Sequence, residues 1–536
     1  MQLAEDLLRL GREEEGLRLA EEVHQQDGYN VAAYNLVTLE ENLRKFTTLQ
    51  ADGIVLRMDP REAAIYGQAA LELLQEAKHK LCEKYDVRLD GPVTVEIFPE
   101  QKDFAVRTFG MPGGEGFLGV CFGNVITAGS PAAHRAGTSN WKAVLWHEFC
   151  HAVTLHKTGN RMPRWLSEGI SVYEERRRDP AWGQAISARY RRMILAGELV
   201  PVSRLSAAFL NPPSPEYLEF AYFESALVVE YLIEKHGLET LCEILDDLAG
   251  GEPLRGAPSI GSVLESRVGS LEELDEAFAR FAVARAGELA PRADWSPPEL
   301  PPRADLSAVE AFCREHPNNL AGLGLLARRL IDGERWQDAK RTLEKLIELY
   351  PENTGGESPW RLLAEVHRRL GETEAEASVL EELARRDAEA IDACGRLMEL
   401  CEAAEDWEGL ARAADRMLAV NPLVPSGHRG LARAAQALGT PERAVTAYQA
   451  LVEMDPIDPA GLHHDLARAL MAAGDLKSAR RHVLMALEEA PRFRAAHRTL
   501  LEIVEETEGV AGGPAATRPD APPKEQPEPP RPEAAP

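Results

Sequence analysis

The chain has 536 residues, more than one hydrophobic core usually serves, so two or three domains are expected. A formal charge of −27 argues against a nucleic-acid scaffold, because phosphate binding needs clustered Lys and Arg, and it favours a basic or neutral partner. The seven cysteines are scattered and contain no CxxC pair, so neither a disulfide framework nor a cysteine zinc site is indicated.

The first residues lack a basic n-region and a long apolar run, and no later stretch reaches the roughly 20 apolar residues that span a bilayer. A cytoplasmic protein without a membrane span is expected, or a periplasmic or secreted one if a leader has been trimmed. Residues 3–45 read as helices. Leu10-Gly11-Arg12 followed by Gly16-Leu17-Arg18-Leu19-Ala20 has the small-residue turn of a tetratricopeptide-like unit, although an ordinary helical hairpin fits equally well. Gly53-Ile54-Val55-Leu56 reads as a strand, and Asp59-Pro60 opens a helix running from Arg61 to about Lys84. Val93 to Phe98 alternates as a half-buried strand, and Phe117–Phe122 and Val125–Ala128 flank the turn Gly123-Asn124 as a hairpin. A small mixed sheet follows.

Asn140 to Lys157 forms the next helix and contains His147-Glu148-Phe149-Cys150-His151. Residues four apart on a helix lie about 40° apart around its axis and about 6 Å along it, so His147 and His151 can offer two imidazoles to one ion. This is the HExxH zinc signature, in which Glu148 beside the metal is placed to accept a proton from water. Thr158-Gly159-Asn160 supplies a turn and Pro163 suits a helix start, so the chain doubles back and brings Glu168 of Trp165-Leu166-Ser167-Glu168-Gly169 to the metal. The expected ligands are His147, His151 and Glu168, with Glu174 and Glu175 as substitutes for the third.

HExxH followed by a WLxEG helix resembles the gluzincin zinc peptidases, and in particular the peptidase-MA-like domains of bacterial proteins that also carry tetratricopeptide repeats. The resemblance covers roughly residues 49–290 and implies a thermolysin-like core in which His147, His151 and Glu168 hold zinc and Glu148 is the general base. No GxMEN segment is found, so recognition of a free N-terminus is unsupported. The resemblance further implies a strand edge that receives extended peptide, for which Val125 to Gly129 is the candidate. It also implies a phenolic oxyanion donor from an AYxxS-like segment. Tyr222 is that candidate, with Tyr217 and His236 as rivals. His134 reads as a loop histidine.

Further helices from Glu239 to Leu248 and Leu271 to Ala286 are expected to close the domain. Pro291 to Pro302 reads as a linker between two regions that each carry their own core. Beyond it, Pro351, Asp387, Pro422, Pro456 and Pro491 recur at intervals of 36, 35, 34 and 35 residues. Small residues pair across helices, Ala327 with Ala339, Ala432 with Ala444 and Ala467 with Ala479. This is the tetratricopeptide pattern: five helix pairs and a closing helix near Arg494 to Glu506, forming a solenoid with a concave face. Ala364 and Ala377 stand one residue further apart, so a local irregularity is expected there. Residues 509–536, rich in Pro, Ala and Glu, bury too little apolar surface to offset their ordering entropy and read as disordered.

The expected architecture is α+β: a helical segment over 1–48, a thermolysin-like zincin domain over 49–290, a linker over 291–305, an all-α repeat solenoid over 306–508 and a tail over 509–536. The expected function is zinc-dependent peptide-bond hydrolysis, with the repeats binding a substrate or partner protein. The alternative is a catalytically silent peptidase-like scaffold for protein interaction, against which the intact Glu148 argues.

Overall fold

A computed structural model describes residues 1–114, 116–133, 139–250, 259–301 and 304–511. His134 and the tail beyond residue 511 lie outside the described residues. The chain is mostly helical with one five-stranded mixed sheet, and it divides into two compact units, Met1–Pro456 and Ile457–Pro536.

Three helices open the first unit: α1 (Gln2–Arg9), α2 (Glu13–Gln26) and α3 (Val31–Leu43). Gly16 lets α2 approach α1, since a Cβ there would lie 2.8 Å from Leu8 Cγ. The apolar faces of the three helices share a cluster with Phe98, Phe104 and Val106, so this segment packs on the sheet region.

The sheet contains β1 (Thr47–Ala51), β2 (Ile54–Met58), β3 (Val93–Phe98), β4 (Gly119–Cys121) and β5 (Val125–Gly129), in the order β1-β2-β3-β5-β4. The three inner strands are parallel and the two outer pairs are antiparallel hairpins. β1 escapes the sequence reading, although Asp52 and Gly53, at φ 48° and 72°, supply the paired left-handed residues that a two-residue hairpin turn requires. The hairpin around Gly123-Asn124 forms as expected, but it reverses the assignment of the open edge. β5 is paired on both sides, and β4 is the outer strand. Gly119 and Cys121 are the residues left facing outward. Phe122 N donates to Val125 O at 2.8 Å and Gly129 N to Leu118 O at 2.9 Å, and alternation in an antiparallel ladder turns the intervening peptide groups away.

Helix α4 (Gln68–Tyr85) follows a π-helical turn at Ala63–Gly67 and packs against α6 (Trp141–Lys157). The short α5 (Gln101–Phe109) lies between them in sequence. Asn140 caps α6 through its side-chain oxygen, which accepts from Lys142 N and Ala143 N. Gly159 and Asn160 take left-handed φ of 56° and 61° and reverse the chain into α7 (Arg164–Arg178). Helix α8 (Ala188–Leu195) and the long α9 (Pro215–His236) come next. α7 and α9 approach closely at Gly169, where a Cβ would meet Ser225 O at 2.6 Å. Helices α10 (Leu238–Ala249), α11 (Ile260–Val268) and α12 (Leu271–Glu288) complete this part, which shares one large core with β2, β3 and β5.

The proline-rich stretch after Leu289 is a seam and not a free spacer. Asp294 N donates to Asn318 O and Leu320 N to Asp294 O, while Trp295 packs at a tilt against Tyr350 with ring centroids 5.4 Å apart. Beyond a single helix at Leu306–Glu315, the first unit carries helix pairs at 320–332 with 336–349, 359–370 with 373–386, 391–403 with 407–420, and 425–437 with 441–452. The second unit holds the pair 459–472 with 476–489 and the helix Arg494–Ala511. Five pairs and a closing helix therefore appear among the described residues, as the repeat interval predicts. The expected irregularity is present at Ala364 and Ala377, where the turn within the pair, 371–372, has two residues against three in the other pairs, and a larger one lies a connection earlier. Residues 350–358 link two pairs, whereas the next two links, 387–390 and 421–424, are four residues each.

The repeats and the domain before them do not have wholly separate cores. Ala450 belongs to the large core, with Ala388, Leu423 and Met454 packed against it. Trp141 Nε1, at the start of α6, donates to Leu418 O at 2.8 Å. Leu418 lies in the last turn of the helix Trp407–Val420, where carbonyls have no partner within the helix.

Candidate active site

α6 presents His147, Glu148 and His151 toward α7, which answers with one stripe: Arg164, Glu168, Ser171 and Glu175 recur at helical spacing. His147 Nε2 and His151 Nε2 lie 3.1 Å apart, and each lies 3.3 Å from Glu168 Oε2. These are the three expected ligand residues, and the turn at Gly159-Asn160 brings them together.

The other imidazole nitrogens are held from behind. His147 Nδ1 pairs with the Glu175 carboxylate, and His151 Nδ1 lies 2.8 Å from Ser167 Oγ and 3.2 Å from Ser171 Oγ. With protons on Nδ1, both Nε2 lone pairs would be free for a cation beside the Glu168 oxygen. The carboxylates around the imidazoles favour positive charge here. Burial opposes a charge on His147, but Glu175 and Glu168 outweigh it and hold the imidazole well above its ordinary range. Burial raises Glu168 as well, yet His151 and His147 pull it well below the usual carboxylate range.

A metal ion fits this set. Ligands about 2.0–2.1 Å from a tetrahedral zinc stand roughly 3.3 Å from one another, which is the observed separation of the three atoms. Among the described residues, His147, His151 and Glu168 are the group of three whose ligand atoms converge in this way. Of the substitutes, Glu175 serves His147 from the far nitrogen. Glu174 points elsewhere, accepting from Lys84 Nζ and Tyr85 Oη at 2.6 Å each.

Glu148 is buried beside the triad, and its Oε2 has no hydrogen-bond partner among the described residues. Burial pushes its carboxyl up, against the pull of His151 and His147. It lies directly against the edge strand: a Cβ at Gly119 would fall 2.6 Å from Glu148 Cγ and 2.8 Å from its Oε1. A side chain at that position would therefore force the Glu148 carboxylate to move, a constraint invisible in the sequence.

Tyr222, on α9, joins the site. Its hydroxyl donates to Glu168 Oε1 at 3.3 Å and accepts from Arg164 Nη2 at 3.0 Å. Burial, then the Glu168 charge, push the phenol up to about 12, so it remains a donor at neutral pH. Its rivals lie elsewhere. Tyr217 donates to Glu198 at 2.9 Å, and His236 packs on Tyr231. Ser167, Ser171, Arg164 and Gly119 are the members that sequence reasoning missed, and Glu175 was expected as a substitute ligand instead of a partner of His147; the helical stripe running from Arg164 to Glu175 was the available signal for most of them.

The triad opens into a cleft of about 1150 Å³. Gly119, Val120 and Cys121 of the open strand line one part, residues 180–189 another, and the repeat residues 350, 352–355 and 386–389 the rest.

Residues 73–273 match the family model of the Peptidase MA superfamily, and residues 322–353 match that of the tetratricopeptide repeat. The chain thus joins a Peptidase MA superfamily domain to tetratricopeptide repeats. Comparison with curated proteins gives no match. Among solved structures, the chain is similar to YrrB, described as a tetratricopeptide protein with an unusual peptide-binding site, at 14% identity and a TM-score of 0.27, covering 36% of this chain and 97% of that one. It is similar to MamA from Desulfovibrio magneticus RS-1 at 17% identity and a TM-score of 0.24, covering 32% and 97%. It is also similar to a thermophilic tetratricopeptide protein of Thermus thermophilus at 18% identity and a TM-score of 0.20, covering 34% and 98%. No helix among the described residues is long and apolar enough to cross a membrane.

Proposed function

We propose that this chain is a zinc-dependent peptidase of gluzincin type, with a thermolysin-like catalytic domain, whose repeats bind a substrate or partner protein. The observation that carries the reading is the mutual 3.1–3.3 Å approach of His147 Nε2, His151 Nε2 and Glu168 Oε2 with a buried carboxylate beside them. Zinc held by these three atoms supplies Lewis acidity, polarising a carbonyl and making water acidic near neutral pH.

The remaining chemistry belongs to the protein. Glu148 takes a proton from water as the water oxygen adds to the carbonyl carbon, then delivers that proton to the amide nitrogen as the C–N bond breaks. Its raised carboxyl suits a group that must both accept and return a proton. The Tyr222 hydroxyl donates to the oxygen that gains negative charge, with Arg164 holding the phenol in place. Glu175, Ser167 and Ser171 fix the two imidazoles. The outward peptide groups of Gly119 and Cys121 pair with extended substrate through main-chain bonds, which accommodates many sequences.

The test is metal analysis of the purified chain combined with digestion of a peptide library, on the parent and on Glu148→Gln. One zinc per chain is expected in both, with turnover lower by roughly 10²- to 10⁴-fold in the variant. Loss of zinc from Glu148→Gln would make Glu148 a ligand. Equal inertness of two zinc-loaded proteins would favour the silent scaffold.

A further inference from the structure

The cleft has a far wall that the catalytic domain does not supply. It is built from two turns of the repeats, 350–358 and 386–389, which contribute Asn353, Thr354, Ala388 and Glu389 to the lining. The first is the long connection of the array, so the extra residues of the repeat fall at the place that faces the site.

Both turns are fastened to the catalytic domain. Tyr350 Oη accepts from Ala188 N at 3.1 Å while its ring packs beside Trp295. At the other turn, Asn140 Nδ2 donates to Ala388 O at 3.4 Å, and one repeat further on Trp141 Nε1 donates to Leu418 O at 2.8 Å. Asn140 and Trp141 are themselves the cap and first residue of the helix that carries both histidines. The wall is therefore set in register with the catalytic residues.

The same cleft is lined by the edge of β4, whose outward peptide groups at Gly119 and Cys121 have no strand partner among the described residues. A polypeptide paired with that edge is extended, and turns lining the same cleft limit the bulk it can carry. A loop still attached to a folded body brings that bulk with it.

We propose that these turns form the outer wall of the substrate cleft and make the protein selective for unfolded, extended polypeptide. The inference rests on the peptidase reading and goes beyond it by assigning the repeats a part in the cleft itself.

The test uses the full chain with Glu148→Gln and zinc bound, carrying the photocrosslinker p-benzoylphenylalanine in place of Asn353, of Ala388 or of the exposed cleft residue Phe117, with zinc content and melting confirmed for each. The probe is a degenerate library of unstructured 12-residue peptides, and one captured sequence is then presented inside a stable folded domain. Peptide adducts at Phe117 and at either turn position, with at least tenfold fewer from the folded presentation, are expected. Adducts at Phe117 and none at Asn353 or Ala388 would overturn the wall while leaving the peptidase reading intact. Equal capture of folded and unfolded presentations would overturn the selectivity. No adduct at any of the three positions would overturn both the wall and the reading beneath it.

Discussion

At the scale of single residues, the site depends on groups whose value lies in what they leave room for. Gly119→Ala places a methyl carbon 2.6 Å from Glu148 Cγ, well inside van der Waals contact, so the carboxylate must move, while the three ligand residues do not figure among the atoms the methyl meets. Turnover is expected to fall at least tenfold with zinc content unchanged, measured by peptide hydrolysis beside metal analysis. Glu224 makes a separate pH-dependent contribution. It is fully buried, accepts from Val200 N at 2.8 Å through Oε1, and burial pushes its carboxyl from 4.5 up to about 8. Between those two values the unfolded chain has lost the proton that the folded chain keeps, so stability falls as pH rises across that window. Glu224→Gln is expected to flatten this part of the melting temperature against pH, and an unchanged slope would assign it to other groups. The two histidines were legible because a four-residue spacing has one meaning on a helix. Gly119 was not, because its neighbour is Glu148, far along the chain and on another element.

At the scale of elements, the hairpin of α6 and α7 carries the His147, His151 and Glu168 cluster, and α9 packs against it. Gly169 permits the approach, because the obstacle to any Cβ there is the backbone carbonyl of Ser225 at 2.6 Å and not a side chain that can swing away. Gly169→Ala is expected to cost about 1–3 kcal/mol, the usual range for overpacking, read as a lower denaturation midpoint at unchanged m-value. Strand identity illustrates the limit of local reading. The hairpin signal at Gly123-Asn124 located both strands, yet nothing in either segment says which one pairs again. β5 became internal because β3 lies parallel to it, a contact between segments about 30 residues apart. The turn of Thr158-Gly159-Asn160, by contrast, was readable from its own chemistry, and with it the meeting of Glu168 with the histidines.

At the scale of the whole molecule, the repeats of the first unit are part of the structure of the Peptidase MA superfamily domain. A chain ending at residue 302 leaves the Trp141 indole N–H without Leu418 O and opens the large core where Ala450 sits. Truncation exposes that apolar surface to water and trades the buried hydrogen bond for one to solvent, so the truncated chain is expected to melt measurably below the full chain. Equal melting temperatures would show that the domain is self-sufficient. The even spacing of the proline-marked repeats made the array legible, and the interval of 36 residues hinted at the long turn. What that turn touches was not legible, because contacts spanning 162 to 277 residues leave no periodic trace.

The bond between Trp141 and Leu418 also imposes an order of events at the ribosome. The helix bearing both histidines is made 277 residues before the carbonyl that receives its first side chain. At about 5–20 residues per second, that gap lasts roughly a quarter of a minute to a minute. Throughout it the Trp141 indole and the part of the large core that Ala450 closes stand open to water and to neighbouring nascent chains. The newborn protein is thus most exposed to misassembly while its histidine helix exists and its far side does not, and that interval is where a chaperone has most to do.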